Sequence, residues 1–156
     1  TMNRRITILM AEDDEEDRML VKEAWEESML ANDLHFVTNG EELMDYLHRR
    51  GEYESPASSP RPGLILLDLK MPKKDGLESL KEIKDHPEFR KIPVVVLTSS
   101  KAEQDIVASY DLGASSYITK PVTFEKLVET MRTLGKYWLE IVDLAGGQQN
   151  NLSGEQ

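Results

Sequence analysis

Five residues placed just after short apolar runs carry the chemistry open to this chain. Glu12 and Asp13 follow Ile6 to Ala11, Asp68 follows Leu64 to Leu67, Thr98 follows Ile92 to Leu97, and Lys120 closes the run that begins at Ser116 to Ile118. Three carboxylates, one hydroxyl and one ammonium mean more together than any member does alone. Carboxylates held about 4 Å apart repel by about 4 kcal/mol per pair at an effective dielectric of about 20, and Lys120 alone cannot neutralise three. A divalent cation can, and an oxygen-only set with room for water suits magnesium. An ionised aspartate beside magnesium can attack a phosphoryl group in line and form an acyl phosphate. In that scheme Asp68 is the nucleophile, and the Thr98 hydroxyl and Lys120 ammonium contact the phosphoryl oxygens through strong, charge-assisted bonds. Singly, Thr98 and Lys120 read as incidental surface residues, and Asp68 reads as the start of a turn that Pro72, Asp75 and Gly76 also favour. Their shared position at strand ends favours a site.

The elements that must position these groups are legible from apolar patterning. Leu64 to Leu67 is an unbroken apolar run bounded by turn residues, as expected of a strand buried on both faces of a parallel sheet. Ile6 to Ala11, Leu34 to Thr38, Ile92 to Leu97 and Ser116 to Ile118 read as four more strands. Between them, apolar residues recur at helical spacing: Leu20, Val21, Ala24 and Trp25, then Leu43, Tyr46 and Leu47, then Leu77, Leu80 and Ile83, then Ile106, Val107 and Tyr110, and last Phe124, Leu127, Val128, Met131 and Leu134. Asp75 with Glu78 and Ser100 with Glu103 are spaced as capping boxes, Thr123 can cap the last helix, and Gly113 is placed to stop the fourth. Pro87 requires the third helix to end before it. Gly51 to Pro62, with its prolines and serines, reads as a surface loop. Five strands alternating with five helices predict an α/β fold: parallel neighbours need crossover connections, and these cover both faces of the sheet. Residues just past the strands then share one edge, where open α/β sheets bind ligands. Periodicity leaves the strand order open.

The chain has 156 residues, enough for one domain with a hydrophobic core plus an extension. Its 29 Asp and Glu outweigh 19 Lys and Arg, for a formal net charge of -10, which repels nucleic acid and anionic lipid. With no cysteine, disulfides and thiolate metal sites are excluded. Neither a signal peptide nor an 18-residue apolar run is present, so a cytoplasmic protein is expected. Of the six consecutive acids from Glu12 to Asp17, Glu15 to Asp17 read as a solvated helix start favoured by the helix dipole. His35, His48 and His86 read as structural, and Lys73-Lys74 as a solvated loop pair or a contact for a kinase.

These motifs together resemble the receiver domains of two-component response regulators over about Arg5 to Gly135. The likeness rests on the acidic pair after the first strand, on Leu66-Leu67-Asp68-Leu69-Lys70-Met71-Pro72 with Asp75-Gly76, on Thr98-Ser99, and on Tyr117-Ile118-Thr119-Lys120-Pro121. It implies a doubly wound (βα)5 sheet of flavodoxin-like order 2-1-3-4-5. It further implies that Asp68 accepts a phosphoryl group from a histidine kinase, and that magnesium is held by Asp13, Asp68 and the Lys70 backbone carbonyl, with Glu12 acting through water. Thr98 and Tyr117 would be the switch pair, Tyr117 moving inward as Thr98 shifts, and Lys120-Pro121 would be a cis bond. Asp14 also follows the acidic pair, so Asp13 with Asp14 is an alternative pairing; Ala11, which ends the strand, favours Glu12 with Asp13. Ser99 stands where the family often has a small apolar residue.

The apolar pattern runs past Gly135 into Trp138, Ile141 and Val142, and the chain is polar from Gly146 onward. We therefore expect a receiver at 5–135, an extended C-terminal helix at 136–145 and a disordered tail at 146–156. The extension packs either on its own domain or on a second copy, giving a homodimer through the last helix with Tyr137, Trp138 and Ile141. With Tyr137-Trp138 and the strand motifs, it resembles the single-domain regulators of bacterial phytochrome kinases. A stand-alone regulator that signals by altered protein binding is the expectation, and at most it catalyses its own phosphorylation and dephosphorylation. Two rivals remain. An aspartate-nucleophile phosphatase needs a second Asp two residues after the nucleophile, where this chain has Lys70. A constitutive adaptor has no need of the five-residue set.

Overall fold

The computed structural model describes residues 7–27, 33–98, 102, 114, 116–120, 123, 125–126 and 129. Five strands, β1 (Thr7–Ala11), β2 (Asp33–Val37), β3 (Leu64–Asp68), β4 (Val94–Thr98) and β5 (Ser116–Thr119), form one sheet. All neighbours are parallel and the order is β2-β1-β3-β4-β5, which is the order the resemblance implied.

Every residue of β1, β3 and β4 is buried, because both faces of the sheet are covered. Alternate side chains point to opposite faces, and the two sets enter two cores. Leu9, Ala11, Ile65, Leu67, Val94 and Val96 pack with Leu43, Met44 and Leu47 of helix α2 (Gly40–His48) and with Leu80 and Ile83 of helix α3 (Gly76–Asp85). Ile8, Met10, Leu64, Leu66, Val95, Leu97 and Ile118 pack with Val21 and Trp25 of helix α1 (Glu15–Glu27). An unbroken apolar strand is what a doubly covered sheet demands.

Polar caps fix where the helices start. The Asn39 side chain accepts from the Glu42 N–H at 2.8 Å, and that of Asp75 accepts from the Glu78 N–H at 2.9 Å. The Asp14 carboxylate accepts from the N–H groups of Glu16 at 2.8 Å and Asp17 at 3.4 Å. Each satisfies amide donors that the first helical turn leaves unpaired. The α3 helix ends at Asp85, ahead of Pro87. Thr123 Oγ1 accepts from the Lys126 N–H at 3.1 Å, the capping contact the sequence suggested.

Some boundaries differ from the sequence reading. The fourth strand begins at Val94 rather than Ile92, because Phe89–Lys91 forms a 3-10 turn that Ile92 closes. Ile92 is still buried, and its carbonyl accepts from Lys84 Nζ at 3.3 Å. The loop from Gly51 to Pro62 contains a 3-10 turn at Gly51–Tyr53. It is tied down where Ser59 Oγ donates to the Tyr53 carbonyl at 2.7 Å and Tyr46 OH donates to the Pro60 carbonyl at 2.7 Å. The Ser100 cap, the Gly113 stop, Ser99, Pro121, and the extension with Tyr137, Trp138 and Ile141 lie outside the described residues, as does the tail.

Candidate functional site

Strand register brings the polar residues to one edge. Ala11 is level with Leu67, Asp68 with Leu97, and Thr98 with Thr119, so Glu12, Asp13, Asp68, Thr98 and Lys120 all emerge at the carboxyl edge of the sheet, Lys120 from the outer strand β5. Three backbone bonds hold that edge together: Glu12 N–H to the Val37 carbonyl at 2.9 Å, Leu69 N–H to the Leu97 carbonyl at 3.3 Å, and Lys120 N–H to the Thr98 carbonyl at 2.7 Å.

Lys120 stands at the centre of the charges. Its ammonium is 3.0 Å from Glu12 Oε1, 3.1 Å from Asp68 Oδ2 and 3.4 Å from Asp17 Oδ2. Burial alone would lower the pKa of this amine, but the facing Glu12 and Asp68 outweigh it and hold the ammonium charged well above the ordinary lysine value. Glu12 moves the opposite way: burial first, then the Asp68 charge, push it up to about 8, against the opposing pull of Lys120 and of the Asp14 N–H. That is the cost of crowding carboxylates which the sequence foresaw. Glu12 Oε1 faces Lys120 but makes no well-directed hydrogen bond.

Carboxylate oxygens of Glu12, Asp13 and Asp68 lie within 4.8 Å of one another, and among the described residues this is the one such convergence of metal-ligating side chains. Glu12 and Asp68 are buried whereas Asp13 is exposed, so the set opens to solvent on one side and leaves room for water ligands. An all-oxygen donor set of this kind fits a hard divalent cation. Asp14 is spent otherwise, as the cap of α1 and as donor of its own N–H to Glu12 Oε2 at 3.1 Å.

The Asp68 carboxylate also accepts from the Lys70 N–H at 3.2 Å, which places Lys70 beside the acceptor. The loop after Asp68 closes tightly: the Gly76 N–H bonds the Leu69 carbonyl at 2.8 Å, and any side chain at Gly76 would collide with the backbone of Asp68 and Leu69. Gly40 donates to the Lys74 carbonyl at 2.9 Å, and Lys74 Nζ pairs with Glu82. Lys73, between these fastenings, has a left-handed φ of 66°, a strained conformation that persists only where its surroundings over-determine it. Lys73-Lys74 is thus not a uniform solvated pair, since Lys74 is engaged with α3.

Thr98 is fully buried, and among the described residues its hydroxyl has no hydrogen-bond partner. Such a hydroxyl costs free energy, and Thr98 stands one residue beyond Leu97, which is level with Asp68 on the neighbouring strand. Tyr117, on the neighbouring strand, is half-buried against the α2 and α3 core.

The sequence reading missed Asp17. It belongs to the helix start taken as solvated, yet its carboxylate reaches Lys120. Arg18, next in the helix, donates to the Glu12 carbonyl at 2.7 Å. No local signal marks it, because an acid in the first turn of α1 reads the same whether or not a partner faces it. The histidines are in ring contacts: His86 stacks on Phe89 at 3.7 Å between centroids, His48 packs on both, and His35 meets Tyr46 edge-on.

A five-stranded 2-1-3-4-5 sheet with an acid, hydroxyl and ammonium set at its carboxyl edge defines a class of signalling domain, and residues 8–132 match the response regulator receiver domain family. The chain belongs to that family. It is 44% identical to the response regulator Rcp1 of Synechocystis over 137 residues, 88% of this chain and 91% of that one. A solved structure of Rcp1 is of its Mn(2+)-bound form (44% identity, TM-score 0.71, 86% and 95% of the two chains). The bacteriophytochrome response regulator RtBRR superposes with a TM-score of 0.78 at 42% identity, over 85% of this chain and 79% of that one. The phosphorylated cyanobacterial phytochrome response regulator RcpA gives 0.72 at 43%, over 87% and 95%. Among the described residues no helix is long and apolar enough to cross a membrane.

Proposed function

We propose that this protein accepts a phosphoryl group on Asp68 from the phosphohistidine of a kinase, in a magnesium-dependent step, and passes the signal on by altered protein binding. The carrying observation is the convergence of an Asp68 oxygen, the Lys120 ammonium and the partnerless Thr98 hydroxyl at one edge. An Asp68 carboxylate oxygen attacks phosphorus, the P–N bond to the donor imidazole breaks, and the imidazole leaves with the electron pair. Asp13, Asp68 and the Lys70 carbonyl would hold magnesium, with Glu12 acting through water, and magnesium so held would offset charge on the transferring oxygens. Lys120 then exchanges its Asp68 contact for a phosphoryl oxygen, and the Thr98 hydroxyl donates to another. Moving Thr98 toward that oxygen frees space on the strand edge beside Tyr117, whose inward shift would change the surface offered to a partner, a two-state response to added charge.

The kinase is proposed to be of phytochrome type, supported by likeness to RtBRR, RcpA and Rcp1. We further propose a receiver spanning 5–135, an extension at 136–145 that pairs two copies through Tyr137, Trp138 and Ile141, a polar tail at 146–156, and a cytoplasmic setting. Transfer from a labelled, autophosphorylated phytochrome histidine kinase tests the pairing: rapid loss of label from the kinase to this chain, and not to an Asp68→Asn variant, is expected. Equal transfer from an unrelated kinase would remove the phytochrome assignment and leave the phosphoacceptor.

A further inference from the structure

Among the described residues Lys120 has three carboxylate partners, and they are not equivalent. Glu12 and Asp68 belong to the oxygen set that fits a divalent cation, and Asp68 is also the group to be phosphorylated. With cation and phosphoryl group in place, both are engaged elsewhere. Asp17 is outside the cation set, and its side chain, 27% exposed, reaches Lys120 from α1 at 3.4 Å. Of the three, it alone belongs neither to the cation set nor to the group to be phosphorylated.

Asp17 is also rigidly held. The cap from Asp14 fixes the first turn of α1, and Arg18 ties the helix to the Glu12 carbonyl at 2.7 Å. A carboxylate on a capped helix turn is a fixed anchor, whereas a lysine side chain carries four flexible methylenes and loses considerable rotamer freedom when held.

From this placement we infer that Asp17 is a positioning residue for Lys120, tethering the ammonium beside Asp68 while its other partners are occupied by cation and phosphoryl group. The inference rests on the phosphoacceptor reading of Asp68. Loss of the tether leaves Lys120 free to swing away, so fewer encounters with a phosphodonor find the ammonium in place.

The experiment measures the initial rate of phosphorylation by acetyl phosphate with magnesium for wild type, Asp17→Asn, Glu16→Gln, Lys120→Gln and the Asp17→Asn/Lys120→Gln double variant. Asp17→Asn should slow the wild-type background about three- to fivefold, the range of a partly exposed ion pair. In the Lys120→Gln background it should have almost no further effect, as required of a residue acting through Lys120. Glu16→Gln, which removes an exposed charge from the same helix turn, should match wild type. An unchanged rate for Asp17→Asn, or the same loss in both Lys120 backgrounds, would overturn the inference. Hydrogen exchange of the Lys120 ammonium, followed by NMR in the magnesium-loaded protein before any phosphodonor is added, gives an independent reading. Faster exchange in Asp17→Asn sustains the tether, and unchanged exchange rejects it. No phosphoryl uptake by wild type, together with that faster exchange in Asp17→Asn, would overturn the phosphoacceptor reading and leave the tether standing.

Discussion

Replacing Thr98 by valine should stabilise the resting protein and weaken its response to phosphorylation. The Thr98 side chain is wholly buried and its hydroxyl has no partner among the described residues. A buried, unsatisfied polar group costs about 1 to 3 kcal/mol, and a valine methyl of nearly the same size removes that cost. For a chain of this length each kcal/mol is worth roughly 2 to 4 °C, so the metal-free Thr98→Val protein should melt about 2 to 12 °C higher than wild type. With Asp68 carrying a phosphoryl group or its beryllium fluoride mimic, the sign reverses. The wild-type hydroxyl gains a charged acceptor, a bond worth about 1.5 to 3 kcal/mol that valine cannot make. Scanning calorimetry of both proteins, with EDTA and then with magnesium and the mimic, separates the two effects. The mimic should raise the melting temperature of wild type clearly more than that of the variant. A variant less stable than wild type in EDTA would show that the hydroxyl is already satisfied at rest, and the reasoning would fail.

Other outcomes follow from the same geometry. Gly76→Ala forces a methyl group into the backbone of Asp68 and Leu69 and should cost about 1 to 3 kcal/mol in urea unfolding, with reduced phosphorylation; wild-type behaviour in both assays would contradict the close approach. Tyr46→Phe deletes the 2.7 Å bond to the Pro60 carbonyl and should cost about 1 kcal/mol, measured by the same unfolding. Because burial and Asp68 raise Glu12 from 4.5 to about 8, its contribution to the stability of the metal-free fold is fully present below pH 4.5 and is lost as pH rises through about 8. A cation needs the ionised form, so magnesium binding near pH 6 should release about one proton, falling toward none by about pH 9. Calorimetry in buffers of different ionisation enthalpy reads this, and zero release near pH 6 would contradict it.

Most of the site could be read from the chain because a parallel sheet turns sequence position into spatial position. An apolar run that stops at Asp68 or Thr98 announces a strand end, and strand ends share an edge. The order of the strands was not legible in periodicity, since an apolar run looks the same at the centre of the sheet and beside its rim; family resemblance supplied it. Asp17 was hidden for a different reason. Acids in a first helical turn are satisfied by the helix alone, so nothing local distinguishes Asp17 from Glu15 or Glu16, and its partner Lys120 is supplied by the end of β5. The start of β4 was misplaced because Ile92 is apolar and buried yet closes a 3-10 turn: burial patterns do not separate a strand residue from a turn residue packed beneath it.

The most direct test of the phosphoacceptor is intact mass after incubation with magnesium and acetyl phosphate, for wild type beside Asp68→Asn. A single labile phosphoryl adduct on the wild type alone, suppressed when EDTA is present during the reaction, is the predicted result. A folded wild type that binds magnesium and never gains the adduct, or an Asp68→Asn protein that gains it equally, would contradict the account.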